Sequence, residues 1–83
     1  MARYFLHLSN SVGYLRDDEG IDVTNSDEAG RIAAQTIRSM LSEEVKQGRF
    51  DLRGRIEIAD DHGNTVRTVP FHEAIQMFTD GPA

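Results

Sequence analysis

The sequence predicts a small α+β domain with the element order ββαββα. An antiparallel sheet made from two β-hairpins carries one long helix on a face, and a short helix closes the chain. Apolar residues alternate with polar ones in the extended segments and recur at three- and four-residue steps in a long middle segment. Turn residues separate these segments. With 83 residues, the chain is long enough for one domain and too short for two.

The first hairpin is predicted at the N-terminus. Residues 3–8 alternate in side-chain direction, as a strand requires, which places Phe5 and His7 on one face. The other face carries Tyr4, Leu6 and Leu8. Residues 9–13 supply turn chemistry, and residues 14–16 can return as a short second strand.

The long helix is predicted from about residue 26 to residue 47, after a brief extended piece at residues 21–23. Asn25 or Ser26 can cap its first turn, and Glu28 stands three residues after Asn25 in a capping-box arrangement. Its apolar stripe comprises Ala29, Ile32, Ala33, Ile37, Met40, Leu41 and Val45. Gly48 is placed to adopt the left-handed conformation that ends many helices.

The second hairpin is predicted to turn through a three-residue loop, Asp61-His62-Gly63, with Gly63 at positive φ. This loop predicts the following cross-strand pairs: Asp60 with Asn64, Ile58 with Val66, Glu57 with Arg67, and Ile56 with Thr68. The register gathers apolar residues on one face and an opposite-charge pair on the other. The predicted core contacts of the long helix are therefore Tyr4, Leu6, Leu8, Ile56, Ile58 and Val66.

A short amphipathic helix is predicted after the second hairpin. Pro70 cannot donate to a strand ladder but suits the first turn of a helix. Its apolar positions at helical spacing are Phe71, Ala74, Ile75 and Phe78. We expect one domain over residues 1–78 and a flexible tail over residues 79–83.

Composition narrows the classes of function. The chain has no cysteine, which excludes disulfides and cysteine-based zinc sites. The net charge of −5 disfavours nucleic acid and anionic membranes as partners. The N-terminus lacks the apolar run of a signal peptide, and no stretch is long enough to span a bilayer. We therefore expect a soluble, cytoplasmic protein without membrane partners.

The sequence predicts no catalytic residue, metal site or cofactor. His7, His62 and His72 are scattered, whereas a metal site needs at least three converging ligands. The acidic run at residues 17–19 is predicted to be a solvated loop, because adjacent carboxylates repel each other and the spacing is not that of an EF-hand. Neither a nucleophile elbow nor a phosphate-binding loop is present.

One candidate binding surface stands out. It combines an arginine-bearing segment with outward-facing rings, and its residues are Phe5, His7, Arg53, Arg55 and Arg67. RNA-binding sheets join aromatic and arginine side chains in this way. The competing interpretation pairs Arg67 with Glu57 and Arg53 with Asp51, and packs Phe5 beneath a helix. The net charge and the single outward aromatic residue favour this second interpretation.

Several short strings resemble a family of short bacterial proteins labelled only as a domain of unknown function. They are Arg3-Tyr4-Phe5-x-His7-Leu8, Asp18-Glu19-Gly20-Ile21, Arg55-Ile56-Glu57-Ile58-x-Asp60, Gly63, and Val69-Pro70-Phe71-x-x-Ala74. The likeness covers nearly the whole chain. That family has no assigned activity, so the resemblance implies no functional residue. In architecture the chain is also similar to HicB-type antitoxins, although it has no helix-turn-helix.

The leading functional hypothesis is a non-catalytic protein-interaction or regulatory module. The partner is an unknown protein or a second copy of the chain, since a small core and open sheet edges favour association. One alternative is an RNA-binding accessory protein that uses the arginine-bearing face. Another is a small enzyme or enzyme subunit whose site forms between chains.

Overall fold

A computed structural model of the chain describes residues 1–78. In order, these residues form β1 (Ala2–Asn10), β2 (Tyr14–Leu15), β3 (Ile21–Val23), α1 (Ser26–Lys46), β4 (Gly54–Ala59), β5 (Thr65–Pro70) and a 3-10 turn (Phe71–Ala74). The strands make one antiparallel sheet, which confirms the predicted α+β class. The predicted tail at residues 79–83 lies outside the described residues.

Strand β1 organises the sheet because it pairs along both of its edges. Along one edge it pairs with β4, from Phe5 opposite Ala59 to Asn10 opposite Gly54. Along the other edge β3 pairs with residues 2–4 and β2 with residues 8–9. A gap therefore remains between β2 and β3 on that edge, and β5 is the outer strand on the far side of β4.

The ends of α1 follow the predicted capping chemistry. Asn25 Oδ1 accepts a hydrogen bond from the Glu28 N–H at 3.0 Å. Glu28 Oε1 accepts one from the Thr24 N–H at 2.9 Å, one residue earlier than in a standard capping box. Gly48 has the expected positive φ of 83°, and its N–H donates to the Val45 carbonyl at 2.9 Å. Local signals are thus sufficient to begin and end this helix.

The hydrophobic core lies between α1 and one face of the sheet. Its buried members are Val23, Ala29, Ala33, Ile37, Leu41, Ile56, Ile58, Phe71 and Ala74. The predicted β1 residues Tyr4, Leu6 and Leu8 pack against them. Ile37 and Ile58 are fully buried, and burial of such a side chain contributes about 1.5–3 kcal/mol.

The loop of the second hairpin has the predicted conformation. Gly63 has a φ of 85°. The Asp60 N–H donates to the Asn64 carbonyl at 2.9 Å, and the Gly63 N–H donates to the Asp60 carbonyl at 3.1 Å. The three-residue loop with a left-handed glycine is therefore confirmed.

Beyond this loop the predicted register is wrong by one residue. The observed pairs are Ala59 with Thr65, Ile58 with Arg67, Glu57 with Thr68 and Ile56 with Val69. Val66 is the extra residue of a β-bulge, and it is 47% exposed instead of lying in the core. The bulge puts two residues of β5 opposite one of β4, so a register counted outward from the loop fails at this point.

The C-terminal helical segment is shorter than the spacing predicts. Only Phe71–Ala74 form a 3-10 turn, and Ile75 is extended with a φ of −135°. Arg38 Nε donates to the Ala74 carbonyl at 2.6 Å, which occupies a carbonyl that a longer helix would use. Phe78 is 87% exposed and does not extend the apolar stripe.

Candidate functional site

The face of the sheet that points away from α1 is called the outer face here. Its side chains come from paired positions: Phe5 and Ala59, His7 and Glu57, Ser9 with Arg55 and Tyr14. Directly paired residues share a face, so these side chains lie together opposite the core. Within residues 1–78, α1 and the 3-10 turn both pack on the core face and leave the outer face without a helix.

Three rings form a row along the outer face, the aromatic row. The Phe5 and His7 rings are nearly parallel, with centroids 6.4 Å apart and 11° between their planes. Tyr14 continues the row, with its ring centroid 6.1 Å from that of His7 and tilted by 42°. The row spans two strands, so the sheet holds its geometry.

Asp17 closes the gap that β2 and β3 leave on the edge of β1. Its Oδ2 accepts a hydrogen bond from the Leu6 N–H at 3.0 Å. Its own N–H donates to His7 Nδ1 at 3.0 Å. Its Oδ1 accepts from the Gly20 N–H at 3.0 Å and the Glu19 N–H at 3.2 Å, which shapes the turn. These bonds are called the Asp17 clamp, because they fasten the turn at residues 16–20 to the middle of β1.

The hydrogen bonds of the clamp lower the pKa of the Asp17 carboxyl. Burial raises the pKa of the Asp17 carboxyl, but the N–H groups of Leu6, Gly20 and Glu19 lower it more. The pKa of Asp17 therefore lies below its ordinary value. His7 accepts at Nδ1, so in this arrangement its ring is neutral and carries its proton on Nε2.

Gly20 lets the turn lie directly against β1. Its φ is 74°, a conformation that side chains rarely adopt. A Cβ atom there would lie 2.8 Å from the Tyr4 carbonyl oxygen and 2.9 Å from a carbon of the Phe5 ring. The turn and the aromatic row are thus in direct contact.

A cleft of about 170 Å³ opens at the Phe5 end of the aromatic row. The rings of Phe5 and His7 form one wall, and the small, buried side chain of Ala59 lies between the two loops that complete it. Those loops are the turn at residues 16–18 and the hairpin loop at residues 60–63. The cleft is therefore part aromatic and part polar.

The charged groups of the cleft are mostly acidic. Four carboxylates face one guanidinium: Asp17, Asp18, Asp60 and Asp61 against Arg16. The cleft thus has three negative charges in excess at neutral pH, four minus one. Asp18 lies 3.3 Å from Arg16 Nε, and Asp61 lies 3.6 Å from His62 Nε2. Both aspartates are exposed and remain accessible to a ligand.

Of the five candidate residues, the structure brings Phe5, His7 and Arg55 together on the outer face. Arg55 Nε lies 3.5 Å from Glu57 Oε1, so its charge is partly compensated. Phe5 does not pack beneath a helix, contrary to the competing interpretation.

The other two arginines lie elsewhere. Arg53 precedes β4 and donates two hydrogen bonds of 3.0 Å to the Asp51 carboxylate, as the competing interpretation predicts. Arg67 does not pair with Glu57, because the bulge turns it to the core face. There it donates to Asp27 Oδ1 at 3.2 Å and borders a groove of about 410 Å³ between α1 and β5. The predicted arginine-bearing face is therefore not assembled.

Two residues of the site escape prediction from the sequence. Tyr14 joins the aromatic row only because β2 places it beside Ser9. Asp17 is half-buried and hydrogen-bonded, not solvated as the acidic run suggests. The one local signal is its position three residues before Gly20, since aspartate often accepts hydrogen bonds from the next N–H groups of a turn.

Within residues 1–78, neither a metal-binding cluster nor a membrane-spanning helix is found. This part of the chain holds no group of three or more histidine or carboxylate side chains arranged to bind a metal ion. Its one long helix is not apolar enough to cross a membrane.

Comparison with known families identifies the chain at the level of a family. Residues 3–72 match the family described as "Domain of unknown function (DUF6894)". This stretch runs from β1 into the 3-10 turn and contains the aromatic row, the Asp17 clamp and the cleft. Neither a curated protein nor a solved structure matches the chain. The chain therefore belongs to the family of the DUF6894 domain of unknown function, as the resemblance of its short strings predicts.

Proposed function

We propose that the chain is a non-catalytic protein-interaction module that binds a partner protein through its outer face. Residues 1–78 act as one folded unit, and the working location is the cytoplasm. The observation that carries this proposal is the aromatic row, in which Phe5 and His7 are half-buried and Tyr14 is 60% exposed. Within residues 1–78, no helix covers the sheet face on which the row lies. Aromatic side chains surrounded by polar groups are typical of the energetic centre of protein interfaces.

The charge of the adjoining cleft indicates the chemistry of the partner. Three excess negative charges beside two rings suit an arginine or lysine side chain. A guanidinium can lie on the Phe5 ring while its N–H groups face Asp18 and Asp61, and a cation over an aromatic face contributes about 0.5–2 kcal/mol. The partner segment that fits best is therefore a basic one.

A titration followed by NMR tests this proposal. A capped peptide of Gly-Ser-Arg repeats is added to isotope-labelled protein, and a peptide of Gly-Ser-Glu repeats serves as its control. We expect the arginine peptide to shift the amide signals of Phe5, His7 and Ala59. Charge-reversing variants Asp18→Lys and Asp61→Lys should each weaken binding by about fivefold to tenfold, because each removes an attraction and adds a repulsion.

Glu43→Lys is the matched control variant. It changes the net charge by the same amount but lies on α1, where Glu43 is exposed and pairs with Lys46 at 3.2 Å. Equal weakening in all three variants, or shifts spread over α1, would mean non-specific attraction to an acidic protein and would contradict the proposal.

Two further measurements separate this proposal from its competitors. Tighter binding of single-stranded RNA than of the arginine peptide would favour the RNA-binding alternative. Sedimentation equilibrium tests for a dimer. If the chain is a dimer and the cleft of that dimer does not bind the peptide, the occupant of the outer face is a second copy of the chain.

A further inference from the structure

The hydrogen bond from the Asp17 N–H to His7 Nδ1 requires a neutral imidazole. The two nitrogen atoms are 3.0 Å apart and partly buried. A protonated imidazole carries hydrogen on both ring nitrogens and accepts at neither. Protonation would therefore set two donors against each other at this point of the clamp.

We propose that protonation of His7 breaks the His7–Asp17 hydrogen bond of the clamp, which makes the cleft of the outer face a pH-sensitive site that loosens in acid. Imidazole is the side chain whose charge ordinarily changes between pH 5 and pH 8. The release is a property of the free chain. Its effect on partner binding rests on the function proposed above.

Several charged and titratable groups surround the His7 ring. Glu57 of β4 lies directly opposite His7 and is itself close to Arg55, while Tyr14 reaches the ring from β2. The turn and the hairpin loop bring Arg16, Asp17, Asp18, Asp60 and Asp61 to the same cleft. Carboxylates outnumber guanidinium groups in this set, so a displaced imidazolium has acceptors for its N–H groups on the outer face.

Release removes one of the bonds that fasten the turn to β1. The turn remains attached where the Leu6 N–H donates to Asp17 and where Arg3 Nη1 donates to the Glu19 carbonyl at 2.9 Å. The pKa of Asp17 lies below its ordinary value, so the carboxylate stays ionised between pH 8 and pH 5. A change in amide exchange between pH 8 and pH 5 therefore reports protonation of the His7 imidazole and not of the Asp17 carboxylate.

The added positive charge also acts on the partner. The cleft would keep two excess negative charges in place of three, four carboxylates against Arg16 and His7. A basic segment is therefore held less tightly, and the aromatic wall moves as the ring rotates. We expect binding of the Gly-Ser-Arg peptide to weaken by about threefold to tenfold from pH 8 to pH 5.

Amide exchange and imidazole nitrogen shifts measured on the same free protein test the release. At pH 8 the His7 nitrogen shifts should show the proton on Nε2. As the imidazole titrates, the Asp17 amide should exchange at least about fivefold faster after correction for intrinsic exchange, which corresponds to the loss of a typical hydrogen bond. The His7→Asn variant keeps an acceptor near the Nδ1 position but does not titrate, so its Asp17 amide should not respond to pH.

His62→Gln and His72→Gln remove the other two histidines and should leave the response unchanged. An Asp17 amide that keeps its protection while His7 titrates would overturn the proposal, as would an equal pH response in His7→Asn. Peptide that fails to bind at every pH contradicts the proposed function alone, because the exchange measurement uses no peptide. Peptide binding that is equal at pH 8 and pH 5 despite release would overturn the regulatory role.

Discussion

Replacement of Gly20 by alanine tests whether the turn lies against β1 as described. Two separate costs apply at this position. The φ of 74° is strained for alanine, which costs about 1 kcal/mol. The new Cβ would also lie 2.8 Å from the Tyr4 carbonyl oxygen, a backbone atom that cannot rotate away.

Relief of this clash requires movement of the turn or of β1. Such overpacking costs about 1–3 kcal/mol, so Gly20→Ala should lower the free energy of unfolding by about 2–4 kcal/mol in total. A domain of 83 residues has a stability of about 4–12 kcal/mol, so the loss is a large part of the whole.

Gly63→Ala is the matched control. Gly63 has a similar φ of 85°, but a Cβ there would meet nothing within 4 Å. The Gly63→Ala variant should therefore lose only about 1 kcal/mol of stability, from the strained φ alone. With an m-value near 1 kcal/mol per molar urea, the unfolding midpoints should fall by about 2 M or more for Gly20→Ala and about 1 M for Gly63→Ala. Equal midpoints in the two variants would refute the close contact between the turn and β1.

Substitutions at Ile58, Asn25 and Asp17 test three other parts of the structure. Ile58→Ala should cost about 2–5 kcal/mol because Ile58 is fully buried, whereas Val66→Ala on the bulge should change stability by less than about 0.5 kcal/mol in the same urea assay. Asn25→Ala should cost about 1 kcal/mol through loss of the helix cap, and Asn25→Asp should restore most of it. Because the pKa of Asp17 is lower in the folded chain than in the unfolded one, its stabilisation is present above about pH 4 and is lost as the pH falls through the folded value. The difference between wild type and Asp17→Asn should therefore shrink in urea titrations below about pH 4.

The elements that could be predicted from the sequence are those set by neighbouring residues. The cap at Asn25, the left-handed Gly48 and the loop at Gly63 each depend on a few adjacent positions. The alternation in β1 likewise indicates correctly which side chains meet the helix. These features need no knowledge of the rest of the fold.

The features that could not be predicted depend on contacts distant in sequence. Val66 is an apolar, β-branched residue of the kind found in buried strands, but at the bulge it is exposed. The bulge also places Arg67 on the core face of the sheet. The Asp17 carboxylate accepts a hydrogen bond from the N–H of Leu6, which lies 11 positions earlier. It does so because neither β2 nor β3 pairs with β1 at Leu6. The structure therefore places Phe5, His7 and Arg55 on one face, while the bulge places Arg67 on the other and Arg53 lies before β4.

Photo-crosslinking in the native cell tests the central claim, that the outer face binds a basic segment of a partner protein. A photoreactive residue replaces Tyr14 on the outer face, and in a second variant it replaces Val45, which is 52% exposed on α1. We expect adducts from position 14 alone, joined to an arginine- or lysine-bearing peptide of one protein and lost when Asp18→Lys and Asp61→Lys are combined. Equal adducts from both positions, or adducts at position 14 that survive the charge reversal, would contradict the account.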